Sequence, residues 1–398
     1  MNIVIVNDYA HINGGAARVA LSSAKALAQL GHHVRVFAGV GPISDDLDGV
    51  RTRCLDAVPY HKRSSRDGAK SGFNDGMARG AFEEFVRDLN PLETVVHFHT
   101  YRDTLSPSVP AAALERGFAI VHTSHEYLLG CPYGAFFDQG LRVRCPERGS
   151  SLGCWMRPCN GGSRLKKLYK MVQAAEYHRR GIPARIRNFV FVSEFSRRIL
   201  QSYLPKDAIC TVVPNPVQAL AGERDLPPDD APFLFVGNLH PGKNPLPLAQ
   251  AAQELGVRVR FVGTGELEEE IRRVNPDAEL AGWLPESELR DAYRSARALV
   301  FTPIWPETQG LAAYEAAANG VPLIVSEDCA AADFVRGHEA GLLVKPNDLD
   351  GLKAAMSAEL SAFGANAYRG FWSDPPTMDR HLEALLPVYD AALRGPRG

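Results

Sequence analysis

One stretch concentrates residues able to do chemistry: Pro306-Glu-Thr-Gln-Gly-Leu-Ala-Ala-Tyr-Glu-Ala-Ala-Ala-Asn-Gly-Val-Pro322. It follows an apolar, strand-like run and continues as an alanine-rich, helix-forming sequence. The N–H groups of Gln309, Gly310 and Leu311 therefore fall at a helix N-terminus, where unpaired donors and the helix dipole attract phosphate. Glu307 and Glu315 stand eight positions apart. On a helix that separation spans about 12 Å. A nucleotide sugar needs a comparable reach, with sugar hydroxyls at one end, a diphosphate between, and ribose hydroxyls at the other. Carboxylates accept hydrogen bonds from hydroxyls well. Spacing alone fits two solvated helix glutamates at least as well.

The stretch resembles the E-x7-E signature of retaining glycosyltransferases of family four, down to its flanks Gly310-Leu311, Glu315-Ala316 and Gly320-Val-Pro322. That resemblance implies a donor-sugar contact for Glu307 and a ribose contact for Glu315, with Gln309 where the family usually has an aromatic residue. Phe235-Val-Gly-Asn-Leu-His-Pro-Gly-Lys-Asn244 is similar to the family's diphosphate-binding segment. The resemblance makes Lys243 the cation that steadies the leaving nucleotide. Asn238 stands where the family has an arginine, so one positive charge is missing; either His240 or a residue of the N-terminal half compensates, or diphosphate binding is weaker. Phe261-Val-Gly263 with Thr-Gly265 is similar to a turn that approaches the nucleotide, and Trp283-Leu284 to a segment that reads the base. Trp283 either stacks on that base or packs in the core.

In the N-terminal half, Gly14-Gly15 is similar to the family's glycine loop, where backbone approaches phosphate or acceptor closely. Arg18, one turn on, is a surface or cleft residue. Gly31-His-His-Val34 fits the family pattern in a structural role. His125, in Thr123-Ser-His-Glu-Tyr127, matches the family's histidine beside the reaction centre. Glu126 and His99 are expected to contact the acceptor.

These residues need elements to hold them. Short buried-type runs alternate with helical periodicity from the start: strand Ile3 to Val6, helix Arg18 to Leu30, strand Val34 to Ala38. Such βαβ units predict a parallel sheet. The rhythm continues through Thr94 to His97, Ala119 to His122 and Asn188 to Val192. After a Pro- and acid-rich linker, Ala219 to Pro232, it resumes with Phe233 to Gly237, Leu246 to Leu255 and Val257 to Val262, and runs on to a helix over Leu349 to Leu360. The fold class predicted is α/β, two Rossmann-like domains facing a cleft, the GT-B arrangement that the resemblance also implies. The boundaries expected are 1–217 for the acceptor side and 218–367 for the donor side, with a crossover segment, 368–398, returning to the first domain. Ser44 to Gly76 and Cys131 to Gly162 read as long loops.

The 398 residues are 45% hydrophobic and 23% charged, with net charge −2. That excludes a global basic field for nucleic acid, and no run of about 18 apolar residues marks a spanning helix. Seven cysteines form an odd set, which favours a reducing cytoplasm over a disulfide framework. Cys131, Cys145, Cys154 and Cys159 are loosely clustered, and a structural zinc or ordinary thiols are the two readings. The stretch Arg164 to Arg180 predicts a basic amphipathic helix, either a solvated face or one able to lie on an anionic membrane. The expected activity is transfer of a sugar from a UDP- or GDP-sugar co-substrate to a glycan, lipid-linked or small-molecule acceptor, with no further cofactor and no catalytic metal. The rivals are an epimerase or hydrolase of sugar nucleotides and a non-catalytic binding subunit.

Overall fold

The structure, a computed structural model, describes residues 1–62, 71–159, 161, 163–219, 227–228 and 230–395. Its first half holds β1 (Asn2–Tyr9), β2 (His33–Val40), β3 (Arg51–Cys54), β4 (Thr94–Phe98) and β5 (Ala119–Ser124). A small hairpin follows, β6 (Phe137–Asp138) with β7 (Val143–Arg144), and then β8 (Asn188–Phe191) and β9 (Ile209–Val212). Apart from the hairpin these strands form one parallel sheet, ordered β3-β2-β1-β4-β5-β8-β9. The second half supplies β10 (Phe233–Val236), β11 (Val259–Val262), β12 (Glu279–Gly282), β13 (Leu299–Phe301), β14 (Leu323–Ser326) and β15 (Gly341–Val344). They form a second parallel sheet, ordered β12-β11-β10-β13-β14-β15.

The strands read as unbroken apolar runs because helices cover both faces of each sheet. Ile3 and Ile5 enter one core layer with Val36, Val121 and Leu385. Val4 and Val6 enter the opposite layer with Phe37, Phe98 and Phe191. The second sheet divides in the same way, with Leu234 and Phe301 on one side and Phe233 and Val300 on the other.

In open parallel sheets ligands bind at the strand C-termini where the strand order reverses. The two reversals here fall between β1 and β4 and between β10 and β13. The turns leaving those four strands carry most of the residues singled out above.

The chain crosses between the sheets twice. The helix Ser361–Ser373 stays on the second sheet through Ala367 and Phe371. After Pro375-Pro376, which cannot continue a helix, the helix Met378–Arg394 packs on the first sheet through Leu382, Leu385 and Tyr389. The return thus begins after Ser373 rather than near residue 368. The loop expected over Ser44 to Gly76 contains β3, and its residues 63–70 lie outside the described ones. The loop expected over Cys131 to Gly162 contains the β6–β7 hairpin and a helix, Leu152–Met156, with residues 160 and 162 outside the description. Of the expected linker, residues 220–226 and 229 are likewise outside it.

Candidate active site

The turns after β10 and β13 bring Lys243 and Glu307 together, with Nζ 2.5 Å from Oε2. The indole N–H of Trp305 donates to the same oxygen at 2.8 Å. The ammonium also lies over the rings of Phe301 and Trp305, at 5.4 and 5.5 Å. Glu307 is not on the helix. It lies in the loop that enters the helix Leu311–Ala318 through Gly310 in the left-handed region, φ 82°. The helical 12 Å span between the two glutamates therefore does not apply. Gly310 is required on two counts, its φ and a Cβ that would come 2.8 Å from Phe301 Cε1.

Glu315, within that helix, accepts a hydrogen bond from the Tyr293 hydroxyl at 2.8 Å. Burial raises its pKa, against the opposing pull of that hydroxyl and of Arg18. Arg18, Trp283, Leu284, Tyr293, Leu311 and Glu315 line an inter-domain cleft of about 830 Å³. Trp283 is 76% exposed on this wall, so the core-packing alternative fails.

Several neighbours have structural duties. Gly263, at φ 129°, allows the turn after β11 to cross the turn after β10, since a Cβ would fall 2.1 Å from the Gly237 carbonyl oxygen. Gln309, expected to offer its N–H to phosphate, buries its side chain, accepting from the Asn215 N–H at 2.7 Å and donating to the Asn215 carbonyl at 3.1 Å. It clasps the end of the first domain to the second. Asn238 is exposed at the cleft-side turn. His240 does not supply the charge missing there, because it stacks on Trp305 at 5.4 Å and burial lowers its pKa, leaving it neutral at neutral pH.

Across the cleft, Asp8, Asn13, Gly14, Gly15, Thr100, Arg102, Asp103 and Glu126 surround a pocket of about 220 Å³. Gly14 has extended backbone with open space where a Cβ would be, while a Cβ on Gly15 would stand 3.4 Å from Leu311 Cδ1 of the other domain. Glu126 Oε2 lies 3.2 Å from Arg102 Nη1. Burial raises the pKa of Glu126 and the guanidinium opposes it. Asp8 accepts from the Asp103 and Thr104 N–H groups at 3.0 and 2.9 Å. Burial, reinforced by the Asp103 charge, pushes it up to about 6.

His125 stacks on His99 with ring nitrogens 2.9 Å apart, and burial pushes its pKa down to about 3, so the ring is neutral. His99 itself is buried behind His125 and against His97, not open to an acceptor as expected. The Thr308 hydroxyl donates to the His125 carbonyl at 3.3 Å, and the Ser193 hydroxyl donates to the Thr308 carbonyl. The loop bearing Glu307 is thus stitched to the strand ends that present His125.

The zinc reading of the cysteines does not hold. Among the described residues no three His, Cys, Asp or Glu side chains are grouped to take a metal. The Lys167 ammonium lies instead 3.4 Å from Cys154 Sγ and 3.3 Å from Cys159 Sγ, and a cation in that position repels another. Sequence reading missed Trp305, Tyr293 and Arg102. Trp305 was detectable as an indole two residues before Glu307, whereas nothing local marks Tyr293 as the partner of Glu315.

Two facing parallel sheets, with a Lys–Glu pair and a buried Glu–Tyr pair at one switch point and a glycine loop at the other, define the GT-B class of glycosyltransferase. Residues 13–219 match the Glycosyltransferase Family 4 profile and residues 231–361 that of Glycosyl transferases group 1. The chain belongs to Glycosyltransferase Family 4. It is 32% identical over 214 residues to D-inositol 3-phosphate glycosyltransferase 1 of Catenulispora acidiphila, a match covering 44% of this chain and 50% of that protein. The chain thus spans about half the length of that curated relative. The fold is similar to sucrose-phosphate synthase from Thermosynechococcus elongatus, with TM-score 0.69, 18% identity and 98% of each chain covered. It is also similar to Anabaena HepE in complex with UDP and glucose, with TM-score 0.65, 14% identity, and 98% of this chain and 100% of that one covered.

Proposed function

We propose that the protein transfers a sugar, with retention of anomeric configuration, from a UDP- or GDP-sugar to an acceptor hydroxyl, in synthesis of a bacterial polysaccharide or glycoconjugate. The observation that carries this reading is the placement of Lys243–Glu307 and Glu315–Tyr293 along one cleft, on either side of a helix N-terminus. An arriving diphosphate takes Lys243 and the N–H groups of Gly310 and Leu311, and Glu307 turns its freed oxygen to the sugar hydroxyls. Glu315 accepts from the ribose hydroxyls, Trp283 faces the base, and neutral His125 borders the anomeric carbon.

The acceptor enters the pocket of Gly14, Arg102 and Glu126. The bond from the anomeric carbon to the phosphate oxygen breaks, the bond to the acceptor oxygen forms on the same face, and the acceptor proton passes to the departing phosphate. Lys243 and the helix end meet the charge that develops, so no metal is needed. That HepE was solved with UDP and glucose agrees with this donor class.

A thermal-shift panel of UDP- and GDP-sugars identifies the donor, since a ligand that binds the folded state raises its stability. With that donor, Glu307→Ala is expected to keep nucleotide binding and lose about 100-fold in transfer. Glu315→Ala should lose the nucleotide shift itself, and wild-type transfer should persist in chelator. If both variants transferred normally from every accepted donor, the reading would be wrong.

A further inference from the structure

The helix Arg164–Arg179 is turned the wrong way round for a helix with only water outside it. Its buried residues are Lys167, Met171, Gln173 and Tyr177, two of them polar. Its exposed residues include Leu165, 82% accessible, with Leu168 and Val172 at positions i+3 and i+7. That spacing sets them on one side as a continuous apolar stripe, which Ala175 extends. The helix Leu152–Met156 packs beside it and adds Leu152 and Met156, 73% and 71% exposed, with Trp155 half exposed. The Lys167 ammonium, in contact with the Cys154 and Cys159 sulfurs, fixes the two helices to each other. The result is one apolar platform. Burying Lys167 and Gln173 while exposing three leucines and a methionine costs free energy unless the outer face meets something apolar.

The rim of the platform is cationic. Arg164 and Lys166 flank Leu165, are exposed, and have no carboxylate partner among the described residues. The first turn of this helix has no acidic residue, so these cations sit at the positive end of the helix dipole, where they oppose helix stability. Their placement serves a negative partner.

We propose that this platform docks the protein on an anionic lipid bilayer, with Leu152, Met156, Leu165 and Leu168 entering the acyl boundary, Trp155 at the interface, and Arg164 and Lys166 on lipid phosphates. Exposed apolar side chains beside two cations, Arg164 and Lys166, with an indole at the edge, match the chemistry of that surface. No described helix is long and apolar enough to cross a membrane, so the contact is one of lying on the surface.

The test is flotation of the full chain with vesicles of 30:70 phosphatidylglycerol and phosphatidylcholine, against phosphatidylcholine alone, paired with light scattering of the protein in solution. Wild type is expected to float with the anionic vesicles and to release as salt is raised. The double variant Leu165→Ser/Leu168→Ser and the double variant Arg164→Glu/Lys166→Glu should each weaken flotation at least about tenfold, with unchanged circular-dichroism melts. Wild type that stays unbound, or variants that float as well as wild type, would overturn the proposal. So would a solution dimer that the leucine variant dissociates, because the platform would then belong to a second copy of the chain.

Discussion

At the scale of single residues, the site is a set of charges already committed to one another. Asp8 shows what burial does to such a group. It lines the pocket that Gly14 and Glu126 share, with its oxygens held by backbone N–H groups, and its pKa lies at about 6 against an ordinary 3.8. A folded-state pKa above the unfolded one means that the native state binds the proton more tightly. The associated stability is fully present below about pH 4 and is lost as pH rises through 6, on the order of 3 kcal/mol over that window. Buried His125, held at about 3, acts with the opposite sign over the same window. The Asp8 share is therefore the difference between wild type and Asp8→Asn in urea melts from pH 4 to 7, with the variant gaining relative stability as pH rises. A difference that does not change with pH would place the titration elsewhere.

At the scale of elements, the parallel strands were legible because both-sided burial leaves mostly apolar runs, and the helix over Leu246–Leu255 was legible with the bounds it has, closing on Gly256 in the left-handed region. The short edge strands β3 and β12, four residues each and only partly buried, carry too little pattern to be read. The β6–β7 hairpin was hidden for another reason. It is held by partners far away in sequence, such as Arg142 against Glu270 and Phe137 facing Trp305 and His240. The site was legible where a motif names its residues, as with Lys243 and Glu307, and illegible where a role depends on a distant partner. Gln309 is the clearest case, since its neighbours in sequence point to phosphate while its side chain is bound to Asn215. Gln309→Ala would strand the Asn215 backbone groups. We expect a loss of about 1–3 kcal/mol in denaturant melts, with the nucleotide-induced thermal shift retained. A lost shift at unchanged stability would restore a donor contact for this side chain.

At the scale of the whole molecule, the helix Met378–Arg394 packs on the domain that holds β1. Leu382, Leu385 and Tyr389 complete the core layer that contains Ile3 and Val121, and the Tyr389 hydroxyl bonds the buried His97 at 2.7 Å. The first domain is therefore assembled from segments on either side of the second sheet's strands in sequence, and any relative motion of the two sheets must bend two connections together. Leu385→Ala should cost about 2–5 kcal/mol as a core truncation. Hydrogen exchange should quicken in β1 and β5 more than in β10 and β13, although the substitution lies beyond the second sheet in sequence. Equal quickening in both sheets would mean that they unfold as one unit.

The Lys243–Glu307 contact has one more implication, for which ligands are refused. Each charge already has a partner at 2.5 Å. A bare anion such as inorganic phosphate can satisfy the lysine only by leaving the glutamate unpaired in a largely enclosed place, which cancels much of the gain. A molecule carrying an anion and a hydroxyl donor at the right separation relieves both at once. On the proposed function, the ion pair is a chemical filter that raises the threshold for abundant small anions and leaves intact sugar nucleotides comparatively favoured.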